Sequence, residues 1–536
     1  MPNYCSPTDN LVGLAGGASH GANRPGMTPD QTVAIDGTNL SLAKVAAISC
    51  DGAKVVLAPH CRPRMKAARD LVEKTVASGE RIYGVTTGFG RMKNVTIPPE
   101  DAVELQRNLV RSHASGVGEP LPIDATRASL LLRAHSLARG NSGVRIEIVE
   151  LLIEMLNRYV TPVIPSQGSV GASGDLAPLA HMALVLAGEG EAWHDGNRLP
   201  AAQALAAAGL APLALSFKEG LSLINGTQVM TGIGALALVR AANACKAADI
   251  AGAMSLEAFL GTDAPFDERM NALRPHAGQA HVAANMRRLL RDSGVMASHA
   301  DCDRVQDAYS FRCIPVVHGA VRDGVAFVTN TVEIEMNSVT DNPVIFPEDG
   351  LFMSGGNFHG EPVALAMDYL AIALAELGSI AERRIYKLVD GAEGLPPFLT
   401  EHSGLRSGYM LAQYTAAALV SENKTLCAPA SVDSIPTSAG QEDHVSMGTI
   451  SARQCERVIG NLENVIAIEL LLSAQALDFR APLTYGRGTS IAHRAVRSMV
   501  EHLDDDRILS IDIAAARELL TSGALVSAVE SELGAL

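Results

Sequence analysis

Tryptophan occurs once in this chain, at Trp193, and Phe, Tyr and Trp together make up only 4% of its 536 residues. So few rings leave little material for an aromatic platform that stacks bases. They also leave Ala, Leu, Val and Ile to supply most of the core of a chain that is 47% hydrophobic. That bias suits packed helices better than sandwiches or barrels of sheet. Positive charge is also short: 43 Lys and Arg stand against 58 Asp and Glu, for a formal net charge of −15. A polyanion partner needs clustered Lys and Arg, so nucleic acid is excluded and the acidic surface is read as a solubility feature.

Paired cysteines are missing too. The eight cysteines, Cys5, Cys50, Cys61, Cys245, Cys302, Cys313, Cys427 and Cys455, include no Cys-x-x-Cys pair and no His/Cys cluster with zinc-finger spacing. They are expected to be reduced, small apolar residues, and no metal ligand set is expected. The N-terminus lacks a basic stretch followed by an apolar run, so no signal peptide is expected. The most apolar stretches, such as Leu176 to Ala187, are short and carry His181, so none reads as a membrane span. The expected compartment is the cytoplasm.

What is present is long and helical. Residues 1–32 are rich in Gly, Asn, Pro and Ser and are expected to form a disordered tail. Residues 33–220 read as an N-terminal domain that carries the chemistry. Residues 221–480 read as a central bundle of long Ala/Leu-rich helices, some apolar on more than one face, and 481–536 as a more charged helical appendage. The fold expected is therefore mainly α: a long-helix bundle with a smaller N-terminal α/β, loop-rich part. Spacing near 3.6 predicts helices over Ala67 to Val76, Glu104 to Ser112, Thr126 to Ala138 and Ile146 to Tyr159. Gly84, Gly88 and Gly90 in the stretch Ile82 to Gly90 predict a loop whose backbone bends or approaches something closely.

One stretch carries unusual chemistry: Gly168-Ser169-Val170-Gly171-Ala172-Ser173-Gly174-Asp175-Leu176-Ala177-Pro178-Leu179-Ala180-His181. Within it Ala172-Ser173-Gly174 is able to cyclise. The Gly174 nitrogen attacks the Ala172 carbonyl carbon, and loss of two waters leaves an alkene where Ser173 had its hydroxyl. The residue types follow from the chemistry: Gly174 has no Cβ to block approach and adopts strained dihedrals, Ala172 is small, and Ser173 carries the leaving hydroxyl. The tripeptide alone is a weak signal, since it recurs at Ala77-Ser78-Gly79 and Ala114-Ser115-Gly116, where a turn or helix end is the plain reading. The third copy differs in its setting. It is glycine-rich on one side and runs into an apolar helix on the other, with Asp175 near that helix's N-terminus. A serine-hydrolase elbow fails because Asp175 occupies the last glycine position of Gly-x-Ser-x-Gly.

The whole fourteen-residue stretch resembles the cofactor loop of the aromatic amino acid ammonia-lyase and aminomutase family, and the resemblance runs from about Val33 to about Ile511. Tyr83-Gly84-Val85-Thr86-Thr87-Gly88-Phe89-Gly90 is similar to the family's inner loop. Asn108-Leu109-Val110-Arg111-Ser112-His113 is similar to its selectivity segment. Asn225-Gly226-Thr227-Gln228, Gln306 through Cys313, Gly355 through Gly360 and Gln441 through Met447 resemble further family blocks. The resemblance implies an electrophile of the 4-methylidene-imidazol-5-one type (MIO) formed from Ala172, Ser173 and Gly174, with no external cofactor. It implies a homotetramer whose active sites draw on three subunits.

The resemblance also implies roles. Tyr83 is implied as the base that takes the β-proton, although a phenol with a pKa of about 10 needs that value lowered by donors or positive potential. Arg312 is implied to hold the substrate carboxylate through its guanidinium fork, Tyr309 to be a second catalytic tyrosine, and Asn225 to bond the electrophile's oxygen. Gly88, Gln306, Asn342 and Phe358 are similar to residues of the substrate pocket. Ser112 and His113 offer an imidazole to a polar ring. Glu442 gains a partner beside a substrate imidazole but is desolvated without one beside a phenyl ring. The block Gln441-Glu442-Asp443-His444 resembles the histidine branch of the family, as do Arg304-Val305-Gln306-Asp307 and Ala417 to Lys424. Non-oxidative deamination of L-histidine to trans-urocanate and ammonia is the activity this implies. Tyrosine or broad aromatic ammonia-lyase activity, a 2,3-aminomutase, and an inactive helical binding scaffold are the competing readings. Arg406, Tyr409 and Ala277 depart from the branch's usual residues.

Overall fold

The structure, a computed structural model, describes residues 32–536 apart from residues 89, 173 and 302, and says nothing of the side chains at 91, 99 and 102. The expected tail therefore lies outside the described residues, except that Thr32 already belongs to a strand. Thr32–Ile35 pairs in parallel with Lys54–Leu57 across the intervening helix Leu42–Ser49. The other strands are short and form three further small sheets, so the expected mainly helical fold is what the chain adopts.

The centre is a bundle of the helices Gln228–Ala258, Ile314–Met336, Glu361–Val389 and Gly448–Asp478, which pack against one another. Gln228–Ala258 is rich in Ala and Gly and is buried on nearly every side for most of its length. A helix without a polar face has to be enclosed, and here its neighbours enclose it. Two of these helices, Glu361–Val389 and Gly448–Asp478, are long and apolar enough to cross a membrane by length and composition. Most of that surface is spent inside the bundle. The apolar runs of the chain are thus longer than the short stretches singled out from sequence.

The bundle core also holds charge, and the charge is paired. Arg384 and Glu469, both fully buried, form a two-pronged ion pair at 2.5 and 2.9 Å. Asp249 accepts from His318 Nδ1 at 2.8 Å, from Arg322 at 2.6 Å and from Asn285 at 2.9 Å. Unpaired, each would cost several kcal/mol on the order expected for a buried ion. The six described cysteines, Cys50, Cys61, Cys245, Cys313, Cys427 and Cys455, are free.

In the N-terminal part the expected helices appear as Arg62–Ser78, Ala102–His113, Ile123–Ala138 and Ile146–Asn157. Arg62–Ser78 ends on Gly79, whose φ of 72° is the left-handed stop that glycine makes without strain. The three departures from the histidine branch are structural. Arg406 reaches the Asp504 carbonyl and the Asp505 carboxylate, Tyr409 is wholly buried, and Ala277 opens the helix Ala277–Leu289.

Candidate active site

The loop leading to Ala172 is tied down by the N-terminal ends of three long helices. Val170 C=O accepts from Met447 N–H at 2.9 Å and Gly171 C=O from Gly360 N–H at 3.0 Å. Gly171 C=O also accepts from the Ser446 hydroxyl at 2.8 Å. Both donors' segments run directly into helices, Glu361–Val389 and Gly448–Asp478. Ala172 is buried against Val445 and Met447. On its far side the loop pairs with Gly226 through a parallel bridge at Gly174, and Asp175 N–H donates to Gly226 C=O at 2.7 Å.

Asp175 behaves differently from the simple helix cap expected of it. It stands at the N-cap of Leu176–Leu186, but its side chain caps another helix. Its Oδ2 accepts from the Val229 and Met230 N–H groups, each at 2.9 Å, at the start of Gln228–Ala258. Its Oδ1 accepts from Ser169 Oγ at 3.0 Å and from Thr449 Oγ1. Burial pushes its pKa up, against the four hydrogen bonds that pull it down. This fully buried carboxylate therefore staples the loop to two bundle helices, and four donors offset the desolvation.

Gly174 has a φ of 68°, and an added Cβ would overlap the carbonyl carbon and oxygen of Gly226. Only glycine fits. Ser173 lies outside the described residues. Its neighbours meet the demands of ring closure: a small residue on one side, and on the other a glycine in left-handed conformation pressed against a second backbone.

A cavity of about 560 Å³ is lined by Tyr83, Gly90, Met92, Leu105, Asn108, Leu109, Ser112, His113, Leu176, Leu221, Ile224, Asn225, Ser438, Ala439 and Glu442. Five residues picked from sequence, Tyr83, Ser112, His113, Asn225 and Glu442, thus share one space. A second cavity of about 600 Å³ also has Tyr83, Gly90 and Glu442 in its wall, and adds Asn342 and Phe358. Gly88 lines neither cavity. Its N–H donates to Val95 C=O at 3.0 Å, and a Cβ there would lie 2.8 Å from Met92 C=O. It shapes the loop rather than the wall.

Gln306, Tyr309 and Arg312 are not brought to these cavities. Gln306 and Tyr309 are exposed, Tyr309 by 71%. The Arg312 guanidinium sits 4.5 Å from the Tyr309 ring centre, just before Ile314–Met336. Within one chain the residues picked from sequence therefore divide into two groups.

The electrostatics correct one expectation. The Tyr83 hydroxyl accepts from Gly90 N–H at 3.3 Å, but its pKa is pushed up, not down. Burial is the main cause, the Glu442 carboxylate adds to it, and the Gly90 donor opposes. Burial likewise holds the His113 pKa below the usual imidazole value, against Leu109 C=O and Glu442. His113 Nδ1 is engaged by Leu109 C=O at 2.8 Å, and among the described residues Nε2 has no hydrogen-bond partner. Glu442 Oε2 accepts from the Thr437 hydroxyl at 2.7 Å, which fixes the carboxylate.

Sequence reasoning missed three features. Ser169 and Thr449 are too ordinary to announce that they hold Asp175. The one sequence signal for Arg133 is a cation directly after Leu130, Leu131 and Leu132. His359 and Glu361, at the start of one helix, and His444 from a distant loop bring donor atoms within 4.8 Å of one another. That grouping was not expected; His359 Nδ1 accepts from Glu361 N–H and Nε2 faces the His444 carbonyl, both at 3.3 Å.

A buried Ala-x-Gly loop clamped by helix ends, together with a cavity holding a tyrosine, a histidine and a carboxylate, defines a class: mainly helical enzymes built on a bundle of long helices. The sequence profile of the aromatic amino acid lyase family matches residues 40–498. Histidine ammonia-lyase of Sorangium cellulosum is 56% identical over 510 residues, covering 93% of this chain and 99% of the relative. The crystal structure of histidine ammonia-lyase from Trypanosoma cruzi superposes with a TM-score of 0.87 at 42% identity, covering 94% of this chain and 96% of that one. Tyrosine aminomutase from Streptomyces globisporus superposes with a TM-score of 0.89 at 40% identity, covering 94% and 99%. The chain belongs to the aromatic amino acid lyase family and is a carbon–nitrogen lyase.

Proposed function

We propose that this enzyme deaminates L-histidine to trans-urocanate and ammonia in the cytoplasm. The observation that carries the reading is the one cavity that Tyr83, His113 and Glu442 line together with Leu176 and Asn225. A methylidene-imidazolone formed from Ala172, Ser173 and Gly174 supplies the electrophile that ordinary side chains lack. The close fit of Gly174 on Gly226 and the small, buried Ala172 suit that group.

The chain's own residues do the rest. Glu442, fixed by Thr437, and the free Nε2 of His113 offer an acceptor and a polar partner to a substrate imidazole. Tyr83 stands at the junction of the two cavities to take the β-proton. We assign the Gln306–Arg312 segment of a second copy in a homotetramer to the same site, with Arg312 holding the substrate carboxylate. The exposed apolar side chains Phe327, Ile334, Leu365, Tyr369 and Ile372 on the bundle helices support such an assembly.

A second reading has its own support: the tyrosine aminomutase likeness, together with a polar Ser112-His113 wall that suits a phenol. Incubation with L-histidine, L-tyrosine and L-phenylalanine, followed by ultraviolet spectra of the products, separates them. Urocanate from histidine is expected. Product from tyrosine alone defeats the histidine reading, and a β-amino acid on chromatography identifies a mutase. The intact mass of the purified chain is expected to fall two waters below the sequence mass. A full sequence mass removes the proposed electrophile.

A further inference from the structure

Arg133 is fully buried in the helix Ile123–Ala138, and its guanidinium makes one hydrogen bond: Nη1 donates to Asn225 C=O at 2.7 Å. Its Nε and Nη2 are buried without a partner among the described residues. A guanidinium held this way is expensive, and desolvation lowers its pKa to about 10, opposed by Asp341. Asp341 does not belong to Arg133 alone. It takes the buried Lys218 ammonium at 2.9 Å and the Asn225 amide nitrogen at 3.2 Å. Two buried basic groups thus share one carboxylate behind Asn225.

The direction of the Asn225–Gly226 peptide gives the guanidinium a target. The C=O and N–H of a trans peptide point in opposite directions. With Asn225 C=O turned to Arg133, the Gly226 N–H points away from it. Gly226 pairs in parallel with Gly174, and in a parallel bridge the N–H and C=O of one residue both face the neighbouring chain. Its C=O takes Asp175 N–H at 2.7 Å, so its N–H faces the tripeptide from the same side. There is no slack: a Cβ on Gly226 would lie 2.6 Å from Arg133 Nη1. The Asn225 side-chain Nδ2 donates elsewhere, to Asp341 and, at 3.1 Å, to Asn342 C=O.

We propose that Arg133 is a positioning residue that holds and polarises the Asn225–Gly226 peptide, making the Gly226 N–H the donor for the one carbonyl oxygen that the closed ring retains. A cation on a peptide oxygen strengthens the hydrogen bond its N–H gives. The inference rests on the electrophile proposed above.

The test uses the full-length protein with Arg133→Met, which keeps length but removes charge and donors, and Arg133→Lys, which keeps the charge. In Arg133→Met, helical circular dichroism is expected to be unchanged and the two-water mass loss slower. The ring's ultraviolet band is expected to move to shorter wavelength, because its carbonyl loses a polarised donor. Per matured chain, kcat is expected to fall about tenfold to a hundredfold, somewhat less than for loss of a direct oxyanion donor, with KM within about threefold. Arg133→Lys is expected to recover most of the loss. Wild-type kcat and band position in Arg133→Met overturn the proposal, as does an Arg133→Lys no better than Arg133→Met. If Arg133→Met does not fold, Arg133→Gln against Arg133→Lys makes the same comparison. A wild-type chain of full sequence mass defeats the electrophile and this inference together. A normal mass loss with an indifferent Arg133 defeats this inference alone.

Discussion

Three copies of Ala-Ser-Gly occur in this chain, and the structure treats them differently. At Ala77–Gly79 the tripeptide is a helix end, and a Cβ added to Gly79 meets nothing within 4 Å. At Ala114–Gly116 it is the turn after the Ala102–His113 helix, and a Cβ on Gly116 would come 3.2 Å from His181 Nε2, a tight contact but without the backbone overlap seen at Gly174. At residues 172–174 the glycine is driven onto the backbone of Gly226, the alanine is buried, and the next residue is a carboxylate held by four donors. Identical residues in sequence are thus inert in two places and compressed in the third. What differs is the rigidity of the surroundings: ring closure needs one backbone pressed on another, and a helix end in solvent relaxes instead.

Substitutions sharpen the contrast, beginning with the largest effect. Ser173→Ala is expected to lower kcat by on the order of 10³-fold or more while the oligomer persists, whereas Ser78→Ala and Ser115→Ala leave turnover unchanged. Steady-state assays with size-exclusion chromatography check this, and near-normal turnover by Ser173→Ala would falsify the special status of the third copy. Next comes Gly174→Ala. A left-handed alanine costs about 1–2 kcal/mol by itself, and the overlap with Gly226 adds to it, so the intact mass is expected to retain both waters in most chains.

Asp175→Ala follows. It orphans two buried N–H groups at about 1–3 kcal/mol each, which is expected to show as a lower midpoint in thermal unfolding and slow mass loss. Asp175→Asn is expected to be far milder, since its oxygen still serves Val229 and Met230 while its amide donates to the two hydroxyls. Equal damage from both would mean that the charge, not the geometry, matters. The smallest effect belongs to Gly79→Ala, expected to cost about 1 kcal/mol from positive φ alone with unchanged activity per folded molecule.

The same contrast sets what was legible beforehand. The helices were visible because their period is local: Ile146–Asn157 and Arg62–Ser78 announce themselves within their own residues. Tyr83, Ser112, His113, Asn225 and Glu442 were identifiable as types in recognisable blocks. Their convergence on one cavity was not legible, because it is made by segments hundreds of residues apart. The upward push on the Tyr83 pKa was hidden for the same reason: it comes from burial and from Glu442, neither of which is a neighbour in sequence. Asp175 was placed at the right helix start but given the wrong helix to cap.

By itself the sequence determined the chemistry available: a cyclisable tripeptide, a phenol, a carboxylate and enough Ala and Leu to build long helices. Tertiary structure alone decided which of three identical tripeptides is compressed, which peptide faces it, and that a buried Arg133 stands behind that peptide. The physical reason is that bond-forming potential belongs to residue types, whereas compression, desolvation and the direction of a dipole arise only where distant backbones are packed against each other.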